Sequence, residues 1–491
     1  MPKLRLSLSR DLAADELPSG DFLLLNAATG RWATVNEAVL QLLSKRGAGG
    51  SPGPPPDGLE LLGPVLDTSA SDLVKIGREA EVPAKSRSMF IIYKLTHACN
   101  FGCTYCYDKQ LLRVLDREKR DATFHEVLAR ILDGGGRAYV LFHGGEPLLE
   151  FRTIESVVKE CETRYGGRVQ FSVQTNGSLF RDEAVTFLHE HQVGLSVSVD
   201  GVSDRDNRFR LNRPGNNVYT VLLKASRHDP RLRRDLLGLH LTIGPHNVDR
   251  LPDILRAMQT DGFRSVSFGL LQAAGGAGKG KWAPERAAER LLELVDLANT
   301  GEIAVLAMQY LIQLTLRLLG EQHELTCLSS PCGAGRDVIA VYPSGEVGPC
   351  DSVFEPTLLF DSMDAYHAGQ SESGAFAALL GRSVDSLEPC RSCDVRRFCN
   401  GTCPGSAQLE TGRLDSDDPF ECAFNFTLIR GLLLRLASVQ YEPFVEYCRF
   451  HVRSRTELRR RLQERRTGAA PPSAGPEGGC AADDLRQSYS H

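Results

Sequence analysis

The sequence predicts an α/β protein: a partial (β/α)6 TIM-like barrel, with a small N-terminal α+β unit before it and a Cys-rich C-terminal segment after it. Three observations carry this reading. First, apolar strand-like runs occur at 89–95, 138–143, 168–173, 193–199, 238–243 and 264–270, and helix-periodic segments such as Thr123–Leu132, Thr153–Arg164 and Asp182–His191 fall between them. Such alternation implies parallel strands joined by crossover helices. Second, eleven of the fourteen Cys fall in two groups, three at 99–106 and eight between 327 and 422. Third, the candidate motifs follow strand C-terminal ends, where barrels of this kind place their chemistry.

The bulk numbers narrow the function. A chain of 491 residues with 42% hydrophobic residues is long enough for two to four domains and a substantial core. A net charge of −5 argues against nucleic-acid binding driven by phosphate attraction. No run approaches 18 uninterrupted apolar residues, so no membrane span is expected, and the N-terminus lacks the long apolar core of a signal peptide. Those features point to the cytoplasm, where thiols stay reduced and clustered Cys read as metal ligands. Cys161, Cys448 and Cys480 stand apart and read as structural.

Four regions follow in order. Within residues 1–85, Asp21–Asn26 and Arg31–Val35 read as a hairpin, Glu37–Leu43 as a short helix capped by Asn36, and 47–56 as a Gly/Pro-rich linker. Residues 86–282 are the barrel. Residues 283–440 comprise one or two bridging helices over 283–320, the Cys-rich segment, and an amphipathic helix at Phe424–Val439. In 441–491, Arg453–Arg466 is a basic helix, read as a solvated face or a binding element, and the tail from Thr467 has the composition of disorder.

Chemistry begins after the first barrel strand, in T-H-A-C-N-F-G-C-T-Y-C-Y-D. Cys99, Cys103 and Cys106 are spaced C-x3-C-x2-C. A [4Fe–4S] cluster normally takes four thiolates, so three leave one iron open to an outside ligand. A zinc knuckle or buried thiols are the alternatives, although zinc favours paired C-x2-C spacing and a closed shell. The second strand ends in His143-Gly-Gly-Glu-Pro147, the third in Gln174-Thr-Asn-Gly177, and the fourth in Ser196-Val-Ser-Val-Asp-Gly201. The two glycines suit close backbone approach, and Glu146 adds an acceptor.

Together these motifs resemble the radical S-adenosylmethionine (SAM) enzymes, with the resemblance spanning about residues 88–440. It implies that SAM chelates the open iron and is cleaved reductively to methionine and a 5′-deoxyadenosyl radical. It places Gly144, Gly145, Glu146 and Pro147 against the SAM amino group, and makes Ser198 and Asp200 candidates for SAM ribose or carboxylate contacts. Arg210, whose fork suits a carboxylate, is a candidate partner for the SAM carboxylate or part of a surface turn. The family's P-x-x-x-H-D-x-x-R stretch is altered here: Val202 replaces Pro, and Asp206-Asn207 replaces the His-Asp pair.

From Cys332 onward the chain resembles the seven-Cys SPASM domain, and Cys327 makes an eighth thiol; paired zinc ribbons are the alternative. The resemblance implies three [4Fe–4S] clusters in all: the SAM-binding one, an auxiliary cluster on Cys327, Cys332, Cys350 and Cys403, and another on Cys390, Cys393, Cys399 and Cys422. Fully ligated clusters suit electron transfer. Asp351, next to Cys350, occupies the position of a general base in anaerobic sulfatase-maturating enzymes, or it is a loop Asp bonding nearby backbone. The implied function is oxidative maturation of a ribosomally made precursor peptide through a thioether or carbon–carbon cross-link. The alternative is oxidation of Cys or Ser to formylglycine in a sulfatase. Expected partners are a precursor peptide or protein and an external one-electron donor of flavodoxin or ferredoxin type. The N-terminal unit is read as a leader-binding module working by strand addition, or as a structural appendage.

Overall fold

The protein is described from a computed structural model, covering residues 5–7, 12–28, 30–37, 40–41, 88–108, 114–210, 217–229, 232, 237–271, 282–303, 309–321, 327, 331–353 and 355–453. The 47–56 linker, the basic run beyond Arg453 and the tail lie outside these residues, as does most of the expected helix at 37–43.

Two sheets organise the chain. Strands β1 (Arg5–Ser7), β2 (Leu12–Glu16), β3 (Phe22–Asn26) and β4 (Arg31–Val35) form an antiparallel sheet in sequence order. The hairpin β3–β4 falls where the sequence places it, and β1 and β2 extend it. Strand alternation gives β3 two apolar faces. Phe22 and Leu24 pack with Ala14, Val35 and Leu40, while Leu23 and Leu25 join the main core. Among the described residues the sheet pairs with no other strands, yet it shares one face with the main core.

The second sheet holds the six expected parallel strands: β5 (Ser88–Thr96), β6 (Arg137–Gly144), β7 (Val169–Thr175), β8 (Gly194–Ser198), β9 (Leu237–Ile243) and β10 (Ser265–Leu270). They lie in chain order from β5 to β10. Helices α1 (Arg117–Asp133), α2 (Phe151–Tyr165), α3 (Asp182–Glu190), α4 (Val218–His228) and α5 (Leu251–Thr260) cross between them. One pair of strands continues the sheet beyond β5. Strand β11 (Val338–Val341) pairs parallel with β5, from Phe90↔Val338 to Tyr93↔Val341, and β12 (Val347–Gly348) pairs antiparallel with β11.

Alternation along the barrel strands separates two environments. Ile91, Tyr93, Val140, Phe142, Val173, Val197, Leu239, Leu241 and Val266 belong to the core shared with the helices. The intervening positions turn inward and are often polar. The register aligns Lys94 with His143, Gln174 with Ser196, Ser198 with His240, and His240 with Ser267. A polar inner face converging on the strand C-terminal ends positions a site, not a second core.

Behind the barrel, α6 (Pro284–Asn299) and α7 (Gln309–Leu318) lead to α8 (Met363–Glu372), α9 (Gly374–Gly381), α10 (Pro404–Thr411) and α11 (Pro419–Leu436). Asp418 caps α11 by accepting from the Phe420 and Glu421 N–H groups. The helix crosses α6 closely enough that a Cβ on Gly431 would stand 2.2 Å from Leu292. Among the described residues no single helix is long and apolar enough to cross a membrane.

Candidate active site

A cavity of about 240 Å³ opens at the C-terminal ends of the parallel strands, lined by Cys99, Cys103 and Cys106 together with Gly144, Gly145, Asn176, Ser198 and Arg210. The three thiols thus share one space with residues from the ends of the five other parallel strands. Burial pushes the Cys103 thiol up to about 11 and raises Cys99 also. Thiolates there need positive charge nearby, which bound iron supplies. Three sulfurs facing a polar chamber fit a cluster with one side open to a ligand. Among the described residues, no group of three His, Cys, Asp or Glu converges as a single metal ion requires.

The G-G-E-P turn holds the cysteine loop. Gly145 N–H donates to the Thr96 carbonyl at 2.7 Å and Glu146 N–H to the Ala98 carbonyl at 2.9 Å. A Cβ at Gly144, where φ is +118°, would stand 2.4 Å from Thr96 O, and one at Gly145 2.2 Å from Ala98 O. The glycines are therefore required by the backbone of the cysteine loop, and Gly144 and Gly145 also face the cavity.

Glu146 is turned away from it. Its carboxylate is fully buried and accepts from Thr175 Oγ1 at 2.7 Å, Asn176 N–H at 2.8 Å and Leu148 N–H at 3.0 Å, tying the end of β6 to that of β7. Burial raises its pKa against those hydrogen bonds. Asn176 passes the link on, donating to Asn100 Oδ1 at 2.9 Å and lying 3.8 Å from Cys99 Sγ.

Among the expected SAM contacts, Gly144, Gly145, Ser198 and Arg210 line the cavity, whereas Glu146, Pro147 and Asp200 do not. Asp200 holds its neighbours instead. It accepts from Tyr105 at 2.5 Å and from Arg210 at 3.2 and 3.3 Å, with His246 at 3.7 Å. Burial would raise its pKa, but Arg210, His246 and Tyr105 outweigh that and keep it low. Arg210 also lies over the Tyr105 ring at 5.5 Å. The guanidinium is thereby fixed at the cavity wall.

Several residues that sequence reasoning passed over meet here. Lys94, a lone cation inside the apolar run Phe90–Leu95, is fully buried against Asp108 and lies 5.1 Å and 5.5 Å from the ring centres of Tyr107 and Tyr342. His97 contacts the other oxygen of Asp108 at 3.0 Å. Burial acts to raise the Asp108 pKa, but His97 and Lys94 hold it below the usual carboxylate range. Tyr107 donates to Asp351 at 2.8 Å, and His143 Nδ1 lies 3.8 Å from the same carboxylate. Asp351 sits behind Tyr107 and His143, which themselves line the cavity. The available signal was position: Lys94 and His143 are polar residues at inward positions of otherwise apolar strands.

A second cavity, of about 280 Å³, is lined by Cys327, Cys332, Cys350 and Cys403. Burial raises the thiol pKa at Cys332, Cys350 and Cys403. Cys390, Cys393, Cys399 and Cys422 form the other group: burial pushes Cys390 and Cys399 up to about 12, and the thiols of this group act on one another electrostatically. Gly269 and Leu270 of β10 line both cavities, so one strand end separates the two chambers. Cys161 and Cys448 are fully buried away from either.

A barrel of parallel strands with a three-thiol loop at its C-terminal mouth is the arrangement expected of a radical SAM site. Residues 93–228 match the model of the Radical SAM superfamily, a family that binds SAM and a [4Fe–4S] cluster. It is 27% identical over 349 residues to a PqqA peptide cyclase of Granulibacter bethesdensis, covering 69% of this chain and 87% of that one. It is 21% identical over 352 residues to a serine-type anaerobic sulfatase-maturating enzyme of Bacteroides thetaiotaomicron, covering 65% and 83%. The solved structure of native anSMEcpe with bound AdoMet and Cp18Cys peptide superposes with a TM-score of 0.58 at 18% identity, over 72% of this chain and 99% of that one. That likeness shows the fold.

Proposed function

We propose that the protein is a radical SAM maturase that oxidises a ribosomally made precursor peptide, forming a thioether or carbon–carbon cross-link. The observation that carries this reading is the pair of cysteine-lined cavities meeting at Gly269 and Leu270. Removing a hydrogen atom from a substrate leaves a radical, and a closed-shell product requires loss of one more electron. A cluster on Cys327, Cys332, Cys350 and Cys403, with another on Cys390, Cys393, Cys399 and Cys422, would provide that acceptor in a SPASM-like segment. The relatives named above, a peptide cyclase and a sulfatase-maturating enzyme, support a peptide or protein as substrate.

In this reading Gly144, Gly145, Ser198 and Arg210 hold SAM, with Glu146, Pro147 and Asp200 fixing the turns that carry them. Asp351 is the general base, reaching the cavity through Tyr107 and His143. The N-terminal sheet takes the leader of the peptide, a flavodoxin- or ferredoxin-like donor supplies the starting electron, and the setting is the cytoplasm. Formylglycine formation in a sulfatase is the second reading, favoured by Asp351 directly after Cys350.

The test incubates reduced, iron-reconstituted protein with SAM and either a candidate precursor peptide or a sulfatase-type Cys or Ser peptide. Three clusters give about twelve iron atoms per chain. Cross-linking removes two hydrogens per event from the precursor, with 5′-deoxyadenosine formed alongside. If only the sulfatase-type peptide reacts, and its product is an aldehyde captured by a hydrazide, the second reading replaces the first.

A further inference from the structure

The two C-terminal thiol groups are joined by one short link. Cys399 belongs to one and Cys403 to the other, and only Asn400, Gly401 and Thr402 lie between. A buried cation, Arg382, grips that link. Arg382 Nη1 donates to the Thr402 carbonyl at 2.8 Å and Nη2 to Thr402 Oγ1 at 3.1 Å. Nε and Nη2 also donate to the Ser416 carbonyl at 3.2 and 2.9 Å. The side chain is 3% exposed.

These acceptors are neutral. Among the described residues Arg382 has one ion-pair contact, Asp417 at the long distance of 4.0 Å, and Asp417 already accepts from Thr402 Oγ1 at 2.8 Å. A buried guanidinium with so little compensation is costly unless an anion stands close by. Arg382 lines the cavity of Cys327, Cys332, Cys350 and Cys403. The opposite charge is present too: Glu421 lines the same cavity, its Oε2 accepting from the Cys403 N–H at 3.0 Å.

We propose that Arg382 is a positioning residue for electron removal, its fixed positive charge raising the reduction potential of the cluster held by Cys327, Cys332, Cys350 and Cys403. The proposal rests on the auxiliary-cluster reading above. A tetrathiolate cluster is an anion that gains one further negative charge on reduction, so a nearby cation favours the reduced form. What moves is one electron: the substrate radical is oxidised by one, the cluster is reduced by one, and no bond forms at iron. Glu421 opposes this and keeps the cluster from holding the electron too tightly to pass it on.

The test is an EPR-monitored redox titration of the full-length reconstituted holoenzyme, without peptide. The signal that changes on adding SAM identifies the SAM-binding cluster. In R382Q one other signal shifts to lower potential, with the reduced-to-oxidised ratio at fixed potential falling roughly tenfold, about 59 mV for a one-electron couple. E421Q moves that same signal upward, R382K leaves it near wild type, and the SAM-responsive signal stays in place in all three. Equal shifts in R382K and R382Q, or shifts of one sign in R382Q and E421Q, overturn the proposal, because they report distortion and not charge. An unmoved signal in R382Q overturns it as well. Should R382Q lose iron, R382K and E421Q still decide: an unmoved signal in R382K with an upward shift in E421Q supports the proposal, and any other combination overturns it. Wild-type protein with iron for one cluster alone overturns the auxiliary-cluster reading itself, and this inference with it.

Discussion

His240 shows how a single inward-facing residue ties the site to solution conditions. It lies on β9 with Nδ1 2.9 Å from Ser267 Oγ, at the cavity wall. Burial, with Arg210 and His143 adding to it and Asp200 opposing, pushes its pKa down to about 4. The unfolded chain takes up this proton near pH 6.5, roughly the ordinary histidine value. Between that value and 4 the unfolded state binds more protons, so stability falls as pH drops through the window. Urea unfolding at pH 7 and pH 4.5 should show a loss in wild type that is smaller by about 2–3 kcal/mol in H240Q. Identical losses in the two proteins would show that His240 is already free to protonate in the native state. His143 is shifted the same way, chiefly by burial, and remains neutral near pH 7, in a form able to accept a proton.

At the scale of elements, the N-terminal sheet is held to α11 and α7 by specific contacts. Arg430 on α11 pairs at 2.6 Å with Asp15 on β2, whose side chain is 1% exposed, and Trp32 Nε1 on β4 donates to the Leu318 carbonyl at 2.8 Å. Removing one partner of a buried ion pair costs about 3–5 kcal/mol, whereas removing both costs far less. R430M should therefore raise hydrogen exchange across residues 12–35 while β5–β10 stay protected, and D15N/R430M should recover much of the loss. Uniformly raised exchange in R430M would mean that the sheet and barrel open as one unit. This docking was not legible in the sequence. Phe22-Leu-Leu-Leu25 reads as an apolar strand, but nothing in it says that Leu23 and Leu25 join the main core, or that Asp15 beside it pairs with Arg430 more than four hundred residues away in the chain. The barrel was legible because each strand and helix carries its own periodicity. The motifs were legible because spacing within a loop is local. Lys94, Asp108, Tyr107 and His143 escaped because only the strand register brings them together, and Asp200 and Glu146 were legible as site residues but not as the struts they form.

The whole molecule is closed by its C-terminal segment. Strand β11 covers the backbone edge of β5, the strand that delivers the cysteine loop, and α11 buries Phe424, Leu428, Ile429, Leu432 and Leu433 against the rest. At about 1.5–3 kcal/mol for each fully buried side chain, those five contribute on the order of 10 kcal/mol, comparable with the entire stability of a typical domain. Without β11, the edge of β5 presents unpaired N–H and C=O groups beside Phe90 and Ile92, a template for association with other chains. A chain ending at Glu321 should thus be recovered as aggregate and show no cooperative thermal transition, although residues 93–228 of the radical SAM domain remain intact in it. A soluble monomer with a cooperative transition in size-exclusion and melting experiments would contradict this. It would show the barrel to be self-sufficient and the Cys-rich segment to be an attachment. If the truncated chain aggregates, the segment that holds the downstream thiols also keeps the first barrel strand, and hence the SAM site, in place.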